Sequence, residues 1–278
     1  MKFLMYAHQG KQVAAVMTQD GMRVVPLSEC GLLYEDLEQL ARFATAAQLD
    51  SVKAYLNENS QSGISIQDVT LLPAIPAPTQ EILIMENNFV QDGAELPTYF
   101  YKKATYANCS GGRIPTYPGH VTELDYQAEL CAVVGGDVYQ VQPEEARKHI
   151  FGYLVINNVI ARNLTVRHRR PYIATSLDGF LPMSSFLVTA DEVQAPIRIR
   201  TWVNGELRQD DVSASAKFSF AYAIADLARI SVLRGGSIIS LGTPFGSGKD
   251  QNPPRYLRSG DVVTCEASGI GTISNVVE

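Results

Sequence analysis

After residue 80 the apolar residues of this chain come in short runs bounded by turn residues, and this pattern limits the possible folds more than any other feature. Segments 81–85, 129–134, 154–161, 186–189, 197–203, 238–241 and 262–267 are rich in Val, Ile and Leu, and they read as buried strands. Gly205-Glu206 turns a hairpin, and only 143–150 and 218–228 in this region read as helices. Many strands with few helices argue for a β-rich α+β fold.

The N-terminal part reads differently. Residues 3–7, 13–17 and 22–26 form a strand meander, with turns at Gly10 and Asp20-Gly21. Residues 34–57 carry apolar positions at helical spacing and read as one or two helices. Pro73-Ala74-Ile75-Pro76-Ala77-Pro78 is a stiff extended stretch. The expected organisation is a small N-terminal domain over 1–72, a Pro-rich linker over 73–80 and a main domain over 81–278.

Composition excludes several classes of function. A length of 278 residues is enough to bury a full core. A formal net charge of −6 argues against a nucleic-acid partner. The basic run Arg167-His168-Arg169-Arg170 reads first as a solvated loop, and second as a rim that attracts a carboxylate. Cys30, Cys109, Cys131 and Cys265 are scattered without zinc or redox spacing. No apolar run reaches the length of a membrane span, and the first residues lack that of a signal peptide, so a cytoplasmic location without a membrane partner is the expectation.

Two stretches nearly spell out a divalent-metal site. Asp125-Tyr126-Gln127-Ala128-Glu129-Leu130 would place Gln127 and Glu129 on one strand face. Asn157-Asn158-Val159-Ile160-Ala161-Arg162-Asn163 follows. A Glu-x-Glu joined by an Asp would cage Mg²⁺ or Mn²⁺ in oxygen ligands. Here Gln127 and Asn158 are neutral amides, and only Glu129 keeps a charge.

These segments resemble the fumarylacetoacetate hydrolase superfamily, whose pattern runs Asp-Tyr-Glu-Ala-Glu-Leu and then Asn-Asp-Val-Ser-Ala-Arg-Asp. The likeness covers about residues 80–278. It includes Phe100-Tyr101-Lys102, Val203-Asn204-Gly205-Glu206 with Gln209, Leu241-Gly242-Thr243-Pro244 with Gly246 and Gly248, and the tail from Leu257 to Gly271. The resemblance implies a mixed β-sandwich roll assembled as a homodimer, acting on enolisable oxo acids or 1,3-dicarbonyls through enolates. The departures fall on the chemistry: Gln127 for Glu, Asn158 for Asp, Asp92 for the lid His, Thr175 for Lys, Asn163 for Asp and Thr165 for Gln.

The altered letters imply a divergent member without a cofactor, or with Mg or Mn held weakly through Gln127, Glu129 and Asn158. The favoured activity is a metal-independent lyase or isomerase of specialised metabolism, working by proton transfer, elimination, decarboxylation or cyclisation. Alternatives are a Mg-dependent C–C-bond hydrolase with an unusual site and a non-catalytic binding homologue. Glu95 or Asp92 would move the proton, with Glu86 a further candidate carboxylate. Arg162 would clamp a substrate carboxylate, or else pair with Glu129. Lys102 reads as a surface salt bridge, or as a point charge or amine nucleophile if desolvated. Gln127, Glu129, Asn158, Gln209 and Thr243 would line or bind the substrate, with Thr243 donating to a carboxylate. His120 reads as a loop residue without a role.

Overall fold

The computed structural model describes residues 1–90 and 95–278. The candidate Asp92 lies outside them.

The described residues form an eleven-stranded mixed sheet, a five-stranded sheet and a two-stranded ribbon. Strand Ala128–Val134 lies deep within the large sheet. It pairs antiparallel with Ile150–Asn157 on one side and with Ile238–Ser240 on the other. Ile82–Glu86 then runs parallel to Ile238–Ser240, and Thr98–Tyr101 closes that edge. Every residue of Ala128–Val134 is buried, which is why its sequence is continuously apolar rather than alternating. Glu129 is the exception in charge but not in burial.

The smaller sheet contains Arg198–Val203, Glu206–Val212, Val262–Ala267 and Gly271–Val277. It packs on the large sheet through a core that includes Leu130, Ala132, Val155, Ile199, Val263 and Ile273. This is the expected β-rich α+β roll.

The N-terminal meander folds as read, with strands Lys2–His8, Lys11–Met17 and Arg23–Pro26. Residues 34–57 yield two helices, Leu37–Phe43 and Ala46–Glu58. Asp36 caps the first through the Gln39 amide, and Thr45 and Gln48 form a capping box on the second. Strand Lys2–His8 pairs with Phe186–Thr189 of the main part, so the large sheet continues across the Pro-rich stretch. A second core mixes Phe3, Val16 and Leu40 with Ile82, Cys131 and Leu154.

Two short helices, Arg162–His168 and Pro171–Thr175, follow the ribbon strand Ile160–Ala161. Sequence patterning does not foresee them, because each is too short to display a helical period. No helix among the described residues is long and apolar enough to cross a membrane.

Candidate active site

A cavity of about 410 Å³ opens where Ile82–Glu86, the start of Ala128–Val134, helix Arg162–His168 and the 243–250 loop converge. Gln127, Glu129, Arg162, Thr165 and Lys249 supply most of its polar lining, and Glu86 and Asp250 add carboxylates.

Glu129 is 1% exposed and held from both sides. The Asn158 amide donates to its Oε1 at 2.9 Å and the Ser240 hydroxyl donates to its Oε2 at 2.6 Å. Burial pushes its carboxyl up to about 7, opposed by these two hydrogen bonds and by the charges of Lys102 and Arg162. A carboxylate offers about four lone-pair sites, so Glu129 can still take a proton.

Lys102 is also 1% exposed, which overturns its reading as a surface salt bridge. Its ammonium donates to the carbonyls of Thr175 and Phe180. Burial lowers its pKa to about 7, and the charge of Glu129 acts in the opposite direction. Lys102 is not among the residues that line the cavity, and its charge acts on Glu129.

Arg162 opens its helix at the cavity wall. It pairs with Asp125, not with Glu129: Nε donates to Asp125 Oδ2 at 2.9 Å, and Nη2 reaches Ser247 Oγ at 3.4 Å. Asp125 is fully buried and also accepts from the Gly248 and Lys249 amides at 2.7 and 3.2 Å. It therefore fixes both the guanidinium and the glycine loop. Gly248 is required there, because an added Cβ would lie 2.7 Å from Asp125 Oδ1 and 2.5 Å from the Arg255 carbonyl.

Gln209 and Thr243 do not act as expected. Gln209 is fully buried. Its Oε1 accepts from the Ala128 amide and the Thr201 hydroxyl, and its Nε2 donates to Thr243 Oγ1 and to the Pro244 carbonyl. Thr243 in turn donates its hydroxyl to the Ala128 carbonyl at 3.0 Å. Together they are a strut that holds the loop against the sheet, and neither hydroxyl nor amide is left for a substrate carboxylate.

Glu95 is exposed and outside the cavity lining. His120 is exposed in its loop, and the 167–170 basic run is solvated at a helix end. Two residues escaped the sequence reading. Ser240 leaves only a faint signal, a hydroxyl in an otherwise apolar strand. Asp125 was visible in its motif, but its hold on the Gly248 and Lys249 amides needs the loop to arrive from 123 residues away.

Two buried polar atoms beside this constellation have no protein partner among the described residues: Asn158 Oδ1 and Thr165 Oγ1. Thr165 lies one helical turn beyond Arg162 and faces the same cavity. Both atoms are suited to a polar ligand.

The donor set does not fit a hard dication. Glu129 is the sole carboxylate among Gln127, Glu129 and Asn158, and both its oxygens already accept hydrogen bonds. No group of three or more His, Cys, Asp or Glu among the described residues could hold a metal. Mg²⁺ needs strong anionic ligands to give up water.

Residues 79–278 match the family described as fumarylacetoacetate (FAA) hydrolase C-terminal. The chain belongs to that family.

Its relatives in the FAA hydrolase family include oxaloacetate tautomerase YisK of Bacillus subtilis, 34% identical over 77% of this chain and 74% of that one. The fumarylacetoacetate hydrolase of psychrophilic Exiguobacterium antarcticum superposes with a TM-score of 0.86 at 27% identity, covering 100% of this chain and 99% of its own. The fumarylpyruvate hydrolase of Pseudomonas aeruginosa, solved with Mn²⁺ and pyruvate, matches with a TM-score of 0.61 at 25% identity, over 71% of this chain and 89% of its own. These relatives thus include a tautomerase as well as hydrolases.

Proposed function

We propose that this protein is a metal-independent isomerase or lyase that moves a proton on an enolisable oxo acid or 1,3-dicarbonyl, with Glu129 as the base. The carrying observation is the buried carboxylate at the cavity floor, held between Asn158 and Ser240 with its pKa pushed to about 7. A base poised near the operating pH transfers protons most efficiently.

The step balances without a co-reactant. Glu129 takes a proton from the carbon next to the carbonyl, the C–H electron pair becomes the new carbon–carbon double bond, and the carbonyl π pair moves onto oxygen. The guanidinium of Arg162 meets the negative charge, and its Asp125 anchor fixes its direction. Return of the proton to oxygen gives the enol, and return to another carbon gives an isomer. Glu129 takes this role in place of Glu95, which lies outside the cavity lining, while Asp92 lies outside the described residues. The amides of Gln127 and Asn158, standing where the family pattern has carboxylates, remove like-charge repulsion around Glu129. The relation to an oxaloacetate tautomerase supports this class of chemistry.

The test is exchange of carbon-bound protons in oxaloacetate and related oxo acids in D₂O, followed by NMR in excess EDTA. Exchange by the wild type that is lost in Glu129→Gln supports the proposal. Exchange abolished by EDTA and restored by Mg²⁺ would overturn it in favour of a metal-dependent enzyme.

A further inference from the structure

The cavity lining is mixed. Glu129, Arg162 and Thr165 are polar, Phe89, Val90, Phe100, Pro171 and Phe245 form an apolar part of the wall, and Glu86, Asn87, Lys249 and Asp250 add polar groups beside it. Phe245 is 74% exposed and Val90 50% exposed, although both line the opening. Large apolar side chains gathered at a cavity mouth mark a binding surface more often than scattered ones do.

The cavity also has an extension. A smaller cavity of about 170 Å³ shares Glu86, Asn87 and Val90 with it and is also lined by Leu96, Thr98, Lys217 and Phe218. The two therefore meet along the Glu86–Val90 turn. A three- or four-carbon oxo acid held by Arg162 would fill the floor alone and leave this wall facing water. A cavity of this size lies in the range of about 300–1,000 Å³ that encloses ligands much larger than such an acid.

We infer that the substrate carries an apolar chain or ring beyond its enolisable head, seated against Phe89, Phe100 and Phe245 and directed along the Glu86–Val90 turn. The inference rests on the proposed chemistry for the position of the head, while the tail is argued from the wall alone. The device is specificity by burial: each methylene removed from water at the mouth strengthens binding, and a polar tail would lose its hydration there.

Calorimetric binding separates the two claims, because it does not require turnover. The probes are 2,4-dioxo acids ending in methyl, hexyl or phenyl, titrated into wild type and Phe245→Ser. The expected result is that hexyl and phenyl acids bind at least tenfold more tightly than the methyl acid, and that Phe245→Ser reduces this preference severalfold. Equal affinity for all three probes, or a preference that Phe245→Ser leaves intact, overturns the tail assignment. If sedimentation shows that Phe245→Ser dissociates an oligomer, the mouth is a subunit interface and the inference is likewise overturned. Tail-dependent binding without proton exchange would sink the proposed chemistry and leave the tail assignment standing.

Discussion

Asn158, one residue beyond strand Ile150–Asn157, donates its amide to the Glu129 carboxylate in strand Ala128–Val134 at 2.9 Å. An aspartate in place of Asn158 would set two carboxylates at this distance and demand a cation between them. The amide turns the same geometry into a donor–acceptor pair, and it leaves Asn158 Oδ1 without a protein partner.

Replacing Glu129 with Gln should reduce proton exchange by about 10²–10⁴-fold, the usual worth of a positioned base. The fold should survive. The folded pKa of about 7 lies above the ordinary 4.5, so between these values the unfolded chain binds fewer protons. Wild-type stability attributable to this group therefore falls as pH rises from about 4.5 to 7. Thermal melts of the two proteins across that window should show Glu129→Gln gaining on wild type with rising pH, and a constant difference would refute the burial argument.

Activity should rise with pH along a limb whose apparent pKa lies near 7, where Glu129 ionises. The charge of Lys102 lowers the Glu129 pKa, so Lys102→Met should move this limb to higher pH. It should also destabilise the protein by about 1–3 kcal/mol for each carbonyl left without its donor, these being Thr175 and Phe180. A limb that stays in place in a folded Lys102→Met protein would remove Lys102 from the account.

Arg162→Lys keeps the charge but loses the planar fork. kcat and kcat/KM should both fall on the order of tenfold, as expected when an interaction with charge formed in the transition state is weakened. Steady-state kinetics on the exchanging oxo acid decide the point, and an unchanged kcat would exclude the role.

The double variant Gln127→Glu/Asn158→Asp restores the three-carboxylate set. It should bind Mn²⁺ measurably by calorimetry, whereas the wild type should show no comparable heat. Tight Mn²⁺ binding by the wild type would contradict the reading of the donor set.

Gly242→Ala should destabilise the enzyme markedly. Gly242 has φ of +80°, and a Cβ there would lie 2.4 Å from the Met85 carbonyl. Denaturant unfolding would measure the loss, and an unchanged midpoint would show that the loop shifts without cost.

Much of this architecture was legible in the chain. The turn at Asp20-Gly21, the helices of residues 34–57 and the apolar strands around Glu129 each carry a local period or a local steric preference, and such signals survive without tertiary context. The loss of two carboxylates was legible for the same reason, since charge belongs to a residue type wherever it sits.

Other features depended on contacts between distant segments. Lys102 looked like any surface lysine until the carbonyls of Thr175 and Phe180 enclosed it. Gln209 looked like a ligand-binding amide until Ala128, Thr201, Thr243 and Pro244 took up its hydrogen bonds. Sequence by itself determined the strand-rich scaffold and a Gln127, Glu129 and Asn158 set with a single carboxylate. Tertiary structure alone decided which groups are buried and which face the cavity, because desolvation and hydrogen-bond satisfaction depend on surroundings that no local stretch of chain contains.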